Sequence, residues 1–348
     1  GTFGIVQRLD EDGNPIDEFG RTTGSPTINR FGISAETSRT ISRRARSLFF
    51  LRYRFEDVRL FNIESLLIKD LLRPDQRVRI SGVGATFVRD TRRNCSVKYS
   101  LLDLVTKGDQ TDPCRYNAGD PTNGSFVTAD YNVSFPAIGA HIGFQKFQAT
   151  YNYYYTFPGI RSTTLAARGI IGLGHVFSGG DRFNSAEFPS LNGLLPISER
   201  FYAGGSNTLR GFNLDEAGPR VVIVPQGTFI NSNGDRVFLD PFTVPFGGNA
   251  LAVVNLEARI PLSTAVRAVP FYDGGNVFRK AGDIFKKPTV DPNDVAGQNQ
   301  RAVWTHSVGL GFRLKTPVGG EFGFDYGYLL NPPEFLIPQQ GGGNAIYR

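Results

Sequence analysis

His141, His175 and His306 are the chain's three histidines, each in a separate segment with no HxH or HxxxH spacing. Imidazoles so scattered do not form a shared metal site or a base beside a nucleophile, and they read as wall or interface residues. Serines and carboxylates are plentiful, yet no GxSxG nucleophile elbow occurs, so no catalytic, metal or cofactor-binding set is expected. Cys95 and Cys114 share one polar loop and lack the paired CxxC knuckles of a zinc site. They fit either a disulfide in an oxidising compartment or two idle thiols. The most specific segment is Phe201 to Phe212, FYAGGSNTLRGF, followed by Gly218, Pro219 and Arg220. A glycine-rich run can cradle phosphate, but this one lacks the Lys and Ser/Thr of a P-loop and does not join a strand to a helix. Its chemistry is mechanical instead: Gly204, Gly205 and Gly211 let a long loop fold tightly and carry one cation, Arg210, into a confined space.

The elements that must position this cation are strands. Apolar and polar residues alternate with period two over segments of about ten residues, which puts one kind of side chain on each face. From Phe144 to Phe157, the residues Phe147, Ala149, Tyr151, Tyr153, Tyr155 and Phe157 share a face, and Lys146, Gln148, Thr150 and Asn152 share the other. Phe49, Leu51, Tyr53 and Phe55 oppose Arg52, Arg54 and Glu56, and Phe322, Phe324, Tyr326 and Tyr328 alternate with Glu321, Gly323, Asp325 and Gly327. Counted this way there are about eleven strands, near residues 2–9, 29–41, 47–61, 77–90, 125–135, 144–157, 163–177, 249–262, 266–278, 303–316 and 320–330. Connectors alternate between short (42–46, 158–162, 263–265, 317–319) and long (10–28, 62–76, 178–248, 279–302). Short turns on one side and long loops on the other are what insertion through a membrane from one side produces. Residues 136–143 and 91–124 depart from that rule, and Glu64 to Leu72 reads as a helical turn or two.

Composition agrees with a barrel wall. The 348 residues include 41 Gly, 29 Phe and 13 Tyr with only 40% hydrophobic residues, and mean hydropathy is −0.21. No stretch approaches the roughly 18 apolar residues of a transmembrane helix, so if the chain enters a membrane it does so as strands closed into a barrel. Net charge is +6, but the arginines are spread through strands, which points to a polar lumen and not to a nucleic-acid groove. Methionine is absent and no signal peptide is visible, so the chain reads as a piece of a longer protein.

FYAGGSNTLRGF closely resembles the signature of the BamA and TamA superfamily of outer-membrane barrels (the surface antigen domain), whose Arg-Gly-aromatic tip on the sixth extracellular loop folds back into the lumen. NLEARIPL at 255–262, VPFYDGGNVF at 269–278 and HSVGLGFRLKTPVGGEFGFDYG at 306–327 resemble successive family strands. FVRDTRRN at 87–94 and DPTNGSF at 120–126 resemble two halves of a family turn, separated here by a cysteine-bearing insertion. The resemblance implies that Arg210, with Gly211 and Phe212, is held by Glu257 and Asp273 on the inner wall. It implies an all-β fold, a transmembrane antiparallel up-and-down β-barrel that is incomplete, with about eleven of the family's roughly sixteen strands. Residues 1–348 would form this single partial barrel, with 91–124 an insertion in a periplasmic turn and 178–248 the sixth extracellular loop. With 178–248 as the sixth loop, the strand before it is the eleventh and the first strand here the fifth, so the first four strands, the last one and the preceding POTRA repeats are expected to be missing, and with them the seam strands of a lateral gate; Asn344 to Arg348 accordingly read as a loop. The function implied is an assembly factor that folds and inserts β-barrel proteins into the bacterial outer membrane. Its partners would be outer-membrane lipid, unfolded outer-membrane proteins, periplasmic accessory lipoproteins and the POTRA domains of the full protein, with no nucleic acid and no cofactor. The alternatives are a TamA-like or two-partner-secretion translocator and, more distantly, a passive porin.

Overall fold

A computed structural model of the chain describes residues 8–10, 12–66, 69–95, 114–157, 163–181, 192–223, 228–230, 236–238, 242–263, 265–286, 303–315, 321–333, 335–338 and 344–347. Ten strands form one sheet: β1 (Thr27–Ser42), β2 (Ser47–Phe61), β3 (Arg77–Asp90), β4 (Gly124–Ser134), β5 (Gly143–Phe157), β6 (Thr163–Ser178), β7 (Ala250–Pro261), β8 (Val266–Phe278), β9 (Thr305–Lys315) and β10 (Glu321–Leu329). Each pairs antiparallel with its neighbour in sequence, the up-and-down order of a barrel wall. β1 and β10 do not pair with each other, so the wall is open.

The period-two pattern has a direct physical consequence. Phe31, Ile33, Leu51, Tyr53, Tyr151, Tyr153, Leu256, Leu310, Phe312, Phe324 and Tyr326 are all exposed on one face. A water-soluble sandwich would bury such a face, whereas a wall in lipid leaves it outward. The other face is concave, because side chains from strands far apart in the sheet converge on one loop. Glu199 in the β6–β7 connector accepts hydrogen bonds from Arg54 of β2 and Lys146 of β5, and Arg210 in the same connector reaches β7, β8 and β10.

Two expectations need correction, and a third lies mostly beyond what the structure describes. The strand expected near 2–9 falls largely outside the described residues, and Leu9 bridges Pro15 away from the sheet. Asn344–Tyr347 is not a loop but pairs with Phe335–Pro338 in a separate hairpin. The lumen is not polar throughout: Ile170, Leu251, Val253 and Val277 point inward and pack against Phe201, Ala203, Leu209 and Ala217 of the connector, with Phe212 partly buried beside them. A second inward cluster joins Val78, Ile80, Ile142 and Phe144 to Leu195. Between β2 and β3 the chain makes short helical turns at Ile63–Ser65, Lys69–Leu72 and Arg73–Asp75.

Leu310 sits mid-strand in β9 with its side chain outward and 44% exposed. Leu310→Arg is expected to destabilise the barrel by about 2–4 kcal/mol, the cost of a guanidinium near the bilayer midplane. Urea titration of the refolded protein in lipid vesicles checks it, and a loss under about 0.5 kcal/mol, the scale of an ordinary surface substitution, would show that this face does not contact hydrocarbon.

Candidate functional site: an infolded loop anchored in the lumen

The β6–β7 connector turns back on itself between Phe201 and Ala217. Gly204 has φ +126, and a Cβ there would lie 2.2 Å from the Asn213 carbonyl oxygen, so only glycine permits this approach. Gly205, at φ +81, donates its N–H to Phe212 O at 3.1 Å, which closes the tip. Thr208 Oγ1 accepts from Gly204 N (2.7 Å) and donates to Gly204 O (2.9 Å). Asn255 of β7 and Arg168 of β6 hold the tip's outer bend by donating to Thr208 O and Asn207 O.

This geometry delivers Arg210 to the inner wall. Its Nε and NH2 donate to Oδ2 and Oδ1 of Asp273, both at 2.7 Å, a two-pronged match of planar fork to carboxylate. NH1 donates to Glu257 Oε1 at 2.8 Å, and the Arg210 backbone N–H donates to Asp273 Oδ2 at 3.0 Å. Arg210 is 6% exposed and Asp273 0%. Burial works against the charge on Arg210, but the Asp273 carboxylate outweighs it and raises the pKa above the ordinary arginine value.

The structure therefore brings together Arg210, Gly211, Phe212, Glu257 and Asp273, with Gly204 and Gly205 in the turn. It also adds residues that sequence reasoning missed. Asp325 of β10 lies 3.8 Å from Arg210 NH1 and takes a two-pronged bond from Arg313, while Arg259 bonds Glu257. The result is three guanidinium groups among three carboxylates, a locally neutral set. Phe271 lies under the Arg210 guanidinium, 3.5 Å from Cζ to ring centroid. Gly327 lets the tip touch β10, since a Cβ there would come within 2.9 Å of Gly211 N. The signal for Asp325 was available, because alternation puts it on the lumen face; nothing local marked Gly327. A polar cavity of about 200 Å³ beside the anchor is lined by Tyr154, Arg168, Asn207, Asn255 and Glu257 among others.

A second tie crosses the opposite mouth. Cys95 and Cys114 form a disulfide at the base of the β3–β4 connector, where Arg93–Asn94 pairs with Arg115–Tyr116. The connector carries Asp120 across to bond Arg267 of β8 (2.5 and 2.7 Å) and Lys315 of β9 (2.5 Å). Burial pushes the Asp120 carboxyl up, but these two cations together hold it down to about 2. The histidines stay apart: His141 meets Arg79, His306 meets Tyr272, and among the described residues no group of three or more His, Cys, Asp or Glu could hold a metal ion.

An antiparallel wall in chain order, an apolar exterior and a loop bolted into the interior by buried ion pairs define a transmembrane β-barrel with an infolded loop. The chain belongs to the Omp85 superfamily, whose domain matches residues 18–336, and it resides in the bacterial outer membrane. It is 30% identical over 161 residues to the outer membrane protein assembly factor BamA of Nitratidesulfovibrio vulgaris, a match covering 45% of this chain and 16% of that protein. It is 25% identical over 191 residues to BamA of Neisseria meningitidis serogroup B, covering 54% and 20%. The chain thus matches about a fifth or less of the length of these two relatives. Its fold is similar to the crystal structure of BamA from Haemophilus ducreyi lacking POTRA domains 1–3, with TM-score 0.60, 16% identity, and coverage of 94% of this chain and 55% of that one.

Arg210→Ala and Asp273→Ala are each expected to destabilise the folded barrel by about 3–5 kcal/mol, because each leaves a buried charge unpaired. The double variant should cost well under the sum, and strict additivity in urea titrations would mean that the two do not act as a pair. Asp120 titrates below its ordinary 3.8, so its contribution is full above about pH 4 and is lost as pH falls toward 2. Asp120→Asn should remove that part of the acid destabilisation, about 2 kcal/mol for a shift of this size, as read from stability measured against pH.

Proposed function

We propose that this chain is the barrel wall of an outer-membrane assembly factor, a protein that folds and inserts other β-barrel proteins without covalent chemistry. In this reading residues 178–248 are the external loop, anchored in the lumen by Arg210, Gly211, Phe212, Glu257 and Asp273. Residues 91–124 are a periplasmic insertion stapled by Cys95 and Cys114. The observation that carries the reading is the buried Arg210–Asp273–Glu257 anchor. A passive porin needs an open bore, whereas here the connector packs an apolar cluster against the inner face of the wall. A wall braced from inside can hold its shape while a neighbouring strand is offered to a client, which is strand addition at a sheet edge. The names of the relatives, assembly factors in both cases, support assembly over translocation. Clients would be unfolded outer-membrane proteins, and accessory lipoproteins and POTRA domains would act beside the barrel.

The test is Arg210→Ala in the full-length protein, expressed as the sole copy in its host. Folded, heat-modifiable outer-membrane proteins are expected to fall several-fold while the variant itself still reaches the membrane. Normal levels of assembled clients would overturn the role assigned to the anchor.

A further inference from the structure

Residues 37–55 contain six arginines and no carboxylate. Arg52 and Arg54 face the lumen and meet Glu36, Asp130, Glu56 and Glu199. Their companions do not. Arg39, Arg43 and Arg44 are exposed, as is Arg89 at the end of β3, and among the described residues none of the four side chains has an ion-pair partner.

Register fixes where these charges lie. Arg39 stands in one cross-strand row with Phe49 and Phe87, the row that closes the outward apolar face at this end. Arg89 follows Phe87 by one outward step, opposite Ser47. Arg43 and Arg44 occupy the turn just below. Two strand spacings separate Arg39 from Arg89, so the collar is on the order of 10 Å wide. Arg46 is already engaged, its guanidinium 3.5 Å over the Tyr116 ring, and it holds a left-handed backbone at φ 46 that glycine or asparagine would take more cheaply. Against the same edge an open groove of about 480 Å³ is lined by Arg39, Thr40, Ile41 and Phe49, and Ile41 is 61% exposed.

Four like charges side by side repel unless anions sit among them. At the rim of a lipid-facing wall the anion within reach is a headgroup phosphate, which a planar guanidinium meets two-pronged, while long side chains bend toward the water interface. We infer that the Arg39–Arg43–Arg44–Arg89 collar binds the phosphate of an anionic glycerophospholipid, with an acyl chain lying along Ile41 and Phe49. This rests on the barrel reading above, which puts the short turns in the periplasm and the collar against the inner leaflet.

The experiment reconstitutes the full-length protein into phosphatidylcholine vesicles containing a minor fraction of phosphatidylglycerol, and analyses the lipid that stays bound after mild detergent extraction. Wild type is expected to enrich phosphatidylglycerol over its bulk ratio. Arg39→Gln/Arg43→Gln/Arg44→Gln/Arg89→Gln should lose that enrichment by about five-fold or more, since each basic group at an anionic surface counts individually, and the matching lysine variant should keep most of it. If the fourfold change prevents folding, the exposed-turn pair Arg43→Gln/Arg44→Gln should lose a clear part of the enrichment in a heat-modifiable barrel. Equal enrichment in variant and wild type, or no enrichment in wild type, overturns the proposal, as does displacement of the lipid by millimolar inorganic phosphate. Arginine-dependent capture of a soluble acidic protein without lipid enrichment also overturns it. Insertion without enrichment sinks this inference alone, whereas failure to insert sinks the barrel reading with it.

Discussion

A guanidinium taken out of water must have its N–H donors met, and in this molecule that constraint organises the lumen. Arg210 spends its fork on Asp273 and its remaining arm on Glu257, with Phe271 against its face. Burying the charge without those partners would cost more than the loop's apolar packing returns. The pairing therefore dictates which strands must be adjacent and in what register. Asn255 pairs with Asp273 across β7 and β8, and Glu257 with Phe271, so the carboxylates present themselves one above the other on one face. A slip of a single residue in that ladder would turn one of them into lipid.

Much of this was legible in the chain because its cause is local. Alternation comes from strand geometry itself, so the strands from Thr27 to Leu329 could be placed to within about two residues. The tip could be singled out because glycines at 204, 205 and 211 make sense only in a tightly folded loop, and the structure gives all three positive φ. The apolar half of the lumen was hidden for an equally physical reason. In Ala250 to Val254 both faces are apolar, one toward lipid and the other toward Phe201 and Leu209, so the run ALAVV carries no alternation to read. Gly172 and Gly174 were silent for the same cause. A Cβ at Gly172 would strike the Phe201 ring at 2.6 Å and one at Gly174 would strike Leu195 at 2.5 Å, contacts that exist only once a later loop has folded in.

The charged and apolar layers of the lumen play different parts. The apolar cluster of Ile170, Leu251, Val253 and Val277 with the loop supplies non-directional cohesion, which tolerates small displacements. The ion-pair layer beneath it is directional and fixes orientation, since a bidentate pair holds its geometry only within a narrow range. Cohesion without the charged layer would leave the tip free to slide. The charged layer alone would face the full desolvation penalty of its ions in a wetter, looser site.

Bracing is also uneven around the wall. Loop and connector contacts reach β5 through Lys146, β7 and β8 through Glu257 and Asp273, β9 through Lys315 and β10 through Asp325. The β3–β4 connector adds a tie from Asp120 to Arg267 on β8, so that strand is held at both ends of the lumen. β1 is different: nearly all of its residues are exposed, and its side-chain ion pairs, Arg30 with Glu56 and Glu36 with Arg52, run to β2 alone among the described residues. β2, by contrast, is reached by the connector through the Arg54–Glu199 pair, so the infolded loop ties the wall from β2 round to β10.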